Sequence, residues 1–323
     1  MNTLATPATL ALGIASGLGA AAFMSLSYLL SRHHGLAQPA GRRESAAERL
    51  LVQSHLLMGI ACVPALAAIW PDRMPPVRDF VPALAASAGF YLVGQMIMFH
   101  LLRRLESSRL TPFLGLKIFI LAAIVAAVLG QSLTGRQWLA VVLSVSATAL
   151  LQKTSGGLPA RAFGLMLAAC LCFALADLCI VRLIDLLAAG CGADRLRAGG
   201  LAMLMNYAVC GGICGLVIVA APFTPLTTLR ATDPVAADWS AAGRYAVIWL
   251  VSMTLLYTCF AITGAVFGNV IQSTRGMMSI CIGAALAHLG WHELEQRVDR
   301  EALLRRLGAA VLMTVAIAVY AMK

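Results

Sequence analysis

Long apolar runs separated by short polar turns recur along the whole chain. A helix needs about 20 mostly apolar residues to cross the hydrocarbon layer of a bilayer, so these runs have the length of membrane spans. Hydrophobic residues make up 60% of the chain and charged residues 12%, whereas a soluble domain of this length needs far more polar surface. The sequence therefore predicts an all-α integral membrane protein.

By this measure the chain contains ten predicted spans, five on each side of a polar linker at residues 152–162. The spans cover residues 8–30, 50–70, 80–102, 110–130, 135–152, 162–187, 200–221, 244–266, 269–291 and 303–322. An odd number of spans in each half makes the two halves antiparallel, as in the inverted repeats of secondary transporters. We predict one five-helix repeat in residues 1–152 and a second in residues 153–323.

Spans four and nine share one plan, which supports a duplication. Each begins with polar residues and carries one cation, Lys117 or Arg275, a few residues inside its apolar run. Each ends at a Leu-Gly pair, Leu129-Gly130 or Leu289-Gly290. In spans one and six a constant offset of 150 positions, for example 173 − 23, aligns Phe23, Ser27 and Arg32 with Phe173, Asp177 and Arg182.

The formal net charge of +10 lies in the turns between apolar segments. This distribution is a topology signal and does not indicate a nucleic-acid surface. Most lysines and arginines fall in loops after odd-numbered spans, which predicts that these loops are cytoplasmic and both termini are outside. The chain has no Walker motif, so ATP-driven pumping by this chain alone is not expected.

The five-plus-five plan resembles the drug/metabolite transporter superfamily, in its EamA-like branch. Thr111-Pro112, where the chain re-enters, and Leu133-Thr134, after span four, carry the resemblance. Gln131 stands where that family often has an acid, and the first span lacks the acid of the small multidrug members. The resemblance implies export of a small metabolite. It also implies that both termini are cytoplasmic, whereas the distribution of lysine and arginine predicts that both are outside.

Among the ionisable residues inside spans, where charge is costly and therefore indicates function, we single out three candidates: Lys117, Asp177 and Arg275. The two cations would flank a central cavity suited to an anionic or carboxylate-bearing substrate, which Arg275 could bind through two parallel hydrogen bonds. The alternative is that each cation snorkels to its nearest headgroup layer. Asp177 is the candidate for proton coupling, or, alternatively, the partner of Lys117 or Arg275 in a structural ion pair.

Other polar and aromatic side chains on apolar helices are secondary candidates. Gln95, Asn206, Tyr257 and Gln272 are predicted substrate contacts and Tyr207 is a further candidate, with hydrogen-bonded helix packing as the alternative for each. Tyr91 and Trp249 are predicted to anchor helices at the membrane interface.

His288 and His292, with Glu293 and Glu295 nearby, could form a metal site, but two histidines at a helix end are a weak signal. We therefore predict no metal, no cofactor and no catalytic residues, and expect that the protein is not an enzyme.

The leading hypothesis is a secondary transporter that exports a small anionic or amino-acid-like metabolite across the cytoplasmic membrane by alternating access. Its partners would be this solute and the lipid bilayer, with possible proton coupling and no nucleic acid. The alternative is a flippase of a lipid-linked intermediate, in which Lys117 and Arg275 would face a groove open to lipid.

Overall fold

The computed structural model describes residues 6–38, 43–105, 110–128, 130, 132–155, 159–220, 238–288 and 300–321. Every regular element in these ranges is helical. The α-helices are α1 (Pro7–Ala37), α2 (Arg43–Ala68), α3 (Val77–Leu102), α4 (Leu116–Ala127), α5 (Gly135–Ser155), α6 (Ala160–Cys191), α7 (Arg195–Ala220), α8 (Trp239–Gln272), α9 (Arg275–His288) and α10 (Arg300–Ala321). A short 3-10 helix, Thr111–Gly115, leads directly into α4.

Six of these helices, namely α1, α2, α3, α6, α7 and α8, are long and apolar enough to cross a membrane. The protein is therefore an all-α, multi-pass membrane protein. Shorter apolar helices cover Phe113–Ala127, Arg275–Leu286 and Gly308–Ala321. The predicted number of ten crossings is not established, because α4, α5, α9 and α10 are not among the helices that are long and apolar enough. The fourth and ninth apolar runs are in addition broken by a local change in the backbone.

Local sequence explains where several helices begin and end. Thr6 precedes Pro7 and accepts a hydrogen bond from the Thr9 backbone N–H at 3.2 Å, which caps the start of α1. The Asp238 carboxylate caps α8 in the same way. Gly192 ends α6 in the left-handed conformation, with φ of 63°, which a residue without a Cβ adopts at little cost.

The boundary between the eighth and ninth predicted spans is the clearest difference from the sequence prediction. Helix α8 continues to Gln272, but Gly264 within it has φ of 75° and ψ of 179°, which no α-helical residue has. Glycine permits this conformation because it lacks a Cβ. The straight part of α8 therefore ends at Gly264, close to the predicted end at 266, and a short helical segment follows before the turn at Ser273 and Thr274.

Four helix pairs make the most extensive contacts: α1 with α8, α3 with α6, α2 with α7, and α5 with α10. We can add five to each helix number and count on from α1 after α10. The pair α1–α8 then becomes α6–α3, which is the second pair, and the pairs α2–α7 and α5–α10 are converted into themselves. The helix pairing is thus the same when it is followed from either half of the chain.

The α2–α7 pair packs backbone against backbone at Gly59 and Gly211. A Cβ added to Gly59 would lie 2.6 Å from the Gly211 Cα, and one added to Gly211 would lie 2.5 Å from the Gly59 Cα. Real Cβ atoms do not approach so closely, so only glycine fits at either position. Small residues permit this approach between membrane helices.

Candidate functional site

A cavity at the centre of the bundle collects residues from α1, α3, α4, α6, α7, α8 and α9. Lys117, Asp177 and Arg275 all line it, although they are far apart in sequence. The cavity is narrow, with a free volume of about 30 Å³, enough for one or two water molecules. The bundle is therefore closed around its charged residues in this conformation.

Lys117 and Asp177 form an ion pair in the cavity wall. The Lys117 Nζ donates to Asp177 Oδ2 at 2.8 Å, and the Asn269 side-chain amide donates to the same oxygen at 2.7 Å. Lys117 is 7% exposed and Asp177 is 5% exposed. Of the two alternatives for Asp177, the ion pair with Lys117 is present, and Lys117 does not reach outward to a headgroup layer.

Arg275 lies on the same cavity but has no comparable partner. It is 6% exposed, its Nη1 lies 3.0 Å from the Met24 sulfur, and its Nε has no hydrogen-bond partner among the described residues. Within that part of the chain no acid lies within ion-pair distance of it. Its backbone carbonyl accepts a 3.0 Å hydrogen bond from the Ser25 hydroxyl. An unpaired buried cation is destabilising, so its presence indicates a ligand site.

Both cations follow an interruption in their helix. Lys117 is the second residue of α4, immediately after the 3-10 helix that ends at Gly115. Arg275 is the first residue of α9, after the turn at Ser273 and Thr274. Broken membrane helices place helix ends at the binding sites of many secondary transporters, and the amino end of a helix favours negative charge. Arg275 therefore adds a side-chain charge to a helix end that already favours anions.

Aromatic side chains form one side of the cavity. Trp249 stacks on Tyr245 with centroids 5.5 Å apart, and Tyr28 meets Trp249 edge-on at the same centroid distance. The Trp249 Nε1 donates to the Tyr207 hydroxyl at 2.8 Å.

The prediction that Tyr91 and Trp249 anchor helices at the membrane interface is wrong, because both are buried and line the cavity. The Tyr91 hydroxyl and the Trp249 Nε1 both have hydrogen-bond partners inside the bundle, so neither requires water at the membrane interface. His55 donates from Nδ1 to the Leu51 carbonyl at 2.7 Å, so its Nε2 is left to accept from the Tyr91 hydroxyl at 2.9 Å. Nothing in the local sequence distinguishes this buried network from an interfacial belt.

The secondary candidates separate into two groups. Gln95 and Tyr257 line the cavity, and the Gln95 Oε1 and the Tyr257 hydroxyl are buried without a hydrogen-bond partner among the described residues. Asn206 and Gln272 do not line it. Asn206 accepts a 2.7 Å bond from Ser87 of α3, and Gln272 donates to the Gly17 carbonyl of α1 at 2.9 Å. Hydrogen-bonded packing, the alternative considered for each, describes these two.

A second cavity of about 210 Å³ lies beyond the aromatic side of the central one. His34, Asp238, Arg244 and Tyr245 contribute to its wall. Because Tyr245 stacks on Trp249, these two rings form the partition between the outer and the central cavity. We call this pair, with Tyr28, the aromatic partition.

The histidine and glutamate group considered as a metal site lies outside the described residues, which include neither 289–299 nor the His288 side chain. Gln131, Leu129 and Leu289 fall outside them as well. In the described part of the chain no group of three or more potential metal ligands occurs.

No family model and no curated protein matches this chain. Twenty-seven chains of solved structures are similar to it. One of them, described only as the crystal structure of a protein, superposes with a TM-score of 0.60 over 97% of both chains at 14% sequence identity. At this identity the similarity extends to the fold, which is shared over nearly the full length of both chains.

Proposed function

We propose that this protein is a secondary transporter that exports a small anionic or amino-acid-like metabolite across the cytoplasmic membrane. The observation that carries this proposal is Arg275, a buried cation on a central cavity that has no acid partner in the part of the chain that the structure describes. A solute carboxylate or phosphate would supply the missing partner through charge-assisted hydrogen bonds.

The charges of the cavity favour a negative solute. Lys117 and Arg275 contribute two positive charges and Asp177 contributes one negative charge, so the lining carries an excess of one positive charge. Lys117 is already bonded to Asp177, and the excess is therefore located at Arg275. Gln95 and Tyr257 offer further polar atoms to the same solute.

Asp177 is the proposed coupling carboxylate. Protonation would cancel its charge and weaken its bond to Lys117, which would then be available to the solute beside Arg275. In this proposal Asn269, which donates to the same carboxylate oxygen, helps to hold Asp177 in the closed pair. Occupancy of the solute site and the protonation of Asp177 are thereby coupled.

The proposed alternating access rests on two halves related as inverted five-helix repeats. The helix pairing is unchanged by a shift of five helices, and each half has a cation beside a break in its fourth helix. Both features are expected when a central site lies between inverted repeats. The aromatic partition closes the cavity toward the outer cavity, so solute entry from that side requires its rings to separate.

The alternative functions find less support. A flippase would hold Lys117 and Arg275 on a lateral groove open to lipid, whereas both cations are buried inside the bundle. An intramembrane enzyme would need a nucleophile beside a base, and the polar groups of the central cavity include no such pair in the described residues.

The test compares metabolites released by cells that overexpress the wild type, Arg275→Ala or Arg161→Ala. Arg161 is an exposed arginine near the start of α6 and controls for the loss of one positive charge. Expression of all three is checked by blot. We expect the wild type and Arg161→Ala to release the same carboxylates or phosphates, and Arg275→Ala to release at least tenfold less, as expected for loss of about 1.4 kcal/mol or more of binding.

Equal release by Arg275→Ala and the wild type would contradict the assigned site while leaving transport in place. No change in the medium, together with altered levels of lipid-linked intermediates, would replace the transporter by the flippase.

A further inference from the structure

The chain reverses direction at Gly264, and residues 265–272 return along the bundle beside the straight part of α8. A Cβ added to Gly17 of α1 would lie 2.9 Å from the Cys259 sulfur, before the reversal, and 2.7 Å from the Ile271 side chain, after it. In one straight helix those two residues would be about 18 Å apart. We call residues 265–272 the return segment.

The return segment supplies polar contacts to the central site. Its Asn269 donates to Asp177 Oδ2 at 2.7 Å, and its Gln272 donates to the Gly17 carbonyl of α1 at 2.9 Å. The turn that follows leads directly to Arg275. The position of the return segment therefore sets both the contact on Asp177 and the start of α9.

A single guanidinium group holds the helix end that precedes the reversal. The last carbonyls of a helix have no helical N–H partner, and Arg195, the first residue of α7, donates from Nε to the Ala261 carbonyl at 2.8 Å. The Arg195 Nη1 donates to the carboxylate of Asp185, near the end of α6. We call these contacts the Arg195 clamp, and they join α6, α7 and α8.

The Arg195 clamp and the aromatic partition lie at opposite ends of the central cavity. Trp249 of the partition precedes Ala261 by 261 − 249 = 12 residues of α8, which corresponds to about 18 Å of helix. Met253 and Tyr257, which lie between them, line the cavity. Helices α6, α7 and α8 all contribute to the cavity wall, so a path to the clamp end between α6 and α8 would separate the partners of Arg195.

We propose that Arg195 is a positioning residue of the transport site. It holds the return segment, and with it Asn269, in place, and it closes the cavity at the end opposite the aromatic partition. The Arg195 and Asp185 side chains are 48% and 41% exposed, and an exposed ion pair alone contributes little. The bond to the Ala261 carbonyl distinguishes this arginine, because it is made to the backbone beside the reversal. The role in transport rests on the proposed function, whereas the closure can be tested without a solute.

Thiol labelling of the purified protein in lipid nanodiscs measures whether the clamp closes the cavity. Ile180, on α6 between Asp177 and Asp185, lines the cavity and is 4% exposed, so Ile180→Cys in a Cys179→Ser background places a thiol inside it. Ala241→Cys places a second thiol in the wall of the outer cavity, at the other end. N-ethylmaleimide is the probe, and its rate of addition at each position is followed by mass spectrometry.

Each thiol is combined with Arg195→Gln, Arg195→Lys, Asn269→Leu, the double variant Arg195→Gln/Asn269→Leu, or the control Arg197→Gln. Arg197 is an exposed residue in the first turn of α7 and is not part of the clamp, so its replacement matches the loss of one charge. Size-exclusion profiles and unfolding temperatures establish which variants are folded.

We expect Arg195→Gln to speed labelling at position 180 about fivefold, equivalent to about 1 kcal/mol, and to leave the rate at position 241 unchanged. Arg195→Lys keeps the charge but lacks the forked donors, so it should retain part of the closure. If Arg195 and Asn269 both act through the return segment, the double variant should label more slowly than the product of the two single effects predicts. The control should label as the wild type does.

Four results would overturn the proposal: an unchanged rate at position 180 in Arg195→Gln, the same increase in Arg197→Gln, an equal increase at positions 180 and 241, which would indicate general loosening of the bundle, or single-variant effects that multiply fully. If Arg195→Gln is not recovered as a folded protein, Arg195→Lys provides the same comparison. Because no solute is used, a failed export test contradicts the transport proposal alone, and a failed labelling test contradicts the clamp alone.

Discussion

Lys117 and Arg275 occupy similar places in the two halves of the chain but differ in their partners. Each follows a helix break, each is buried, and both line one cavity. Lys117 is held by Asp177, which Asn269 also contacts, whereas Arg275 has a methionine sulfur and an unpartnered Nε. One cation is therefore paired with an acid within the protein, and the other has no acid partner among the described residues.

This difference separates the roles that two buried charges can play. A buried ion pair is sensitive to the loss of either partner, because the remaining charge is stranded. A buried charge without a partner is already a cost to the folded state, and removing it relieves that cost. Stability and transport should consequently respond in opposite ways at the two positions.

The largest effect is expected for Asp177→Leu, which strands Lys117 in the bundle. The free energy of unfolding in mixed detergent micelles should fall by about 3–5 kcal/mol. The double variant Lys117→Met/Asp177→Leu should recover most of this loss because it removes both charges together. If the double variant has as low a free energy of unfolding as Asp177→Leu, the loss does not come from leaving Lys117 without its ion-pair partner.

Asn269→Leu should have the next largest effect. It removes the 2.7 Å hydrogen bond to Asp177, and a bond to a charged acceptor contributes about 1.5–3 kcal/mol. In the Lys117→Met/Asp177→Leu background the same change should cost less than about 1 kcal/mol, which a double-mutant cycle measures directly. Thr258→Ala, at a half-buried site on α8 whose hydroxyl donates to the Thr254 carbonyl of the same helix, is the control. Identical losses in both backgrounds would contradict the coupling.

Ser25→Ala tests how Arg275 is positioned. The Ser25 hydroxyl lies 3.0 Å from the Arg275 carbonyl and joins α1 to α9, so its loss should cost about 0.5–1.5 kcal/mol. Ser27 is the matched control on the same helix: like Ser25, its hydroxyl donates to a carbonyl one turn earlier, but it has no partner on another helix among the described residues. If Ser27→Ala lowers the free energy of unfolding as much as Ser25→Ala does, the contact to Arg275 has no specific role.

The smallest effect on stability is expected for Arg275→Met, although solute release should be lost. Replacing the cation by an apolar side chain removes a buried charge beside Met24, so the free energy of unfolding should stay within about 1 kcal/mol of the wild type or rise. A loss of 3 kcal/mol or more would make Arg275 structural and would end the contrast with Lys117.

The helical, membrane-spanning class of the fold and the approximate positions of the ten α-helices in the described residues follow from the sequence. This succeeds because the hydrocarbon thickness imposes a minimum apolar length that can be read from composition alone. Polar residues mark the starts of the fourth and ninth runs, but the sequence did not show that the first would form a 3-10 helix as far as Gly115 or that the second would turn at Ser273. Thr111 and Pro112 in the first run, and Gln272 to Thr274 in the second, were the available signal.

The charged residues of the candidate site could be predicted from the sequence, but the uncharged residues that line the cavity could not. Lys117, Asp177 and Arg275 stand out because ionisable groups are rare in apolar helices, and the structure brings them onto one cavity. Gln95 lines that cavity while Asn206 does not, although both are single amides on apolar helices. The rotation of each helix decides this difference, and helix rotation depends on packing between helices that sequence periodicity did not reveal.

The contact between Gly59 and Gly211 has a consequence for the history of the chain. The two positions differ by 211 − 59 = 152, close to the offset of 150 that aligns spans one and six. Under the proposed duplication, and with a shift of two residues in this helix, the two glycines would descend from a single position that faced its own copy. A substitution at either glycine would then be blocked as long as the other kept its place, so the pair could change only together.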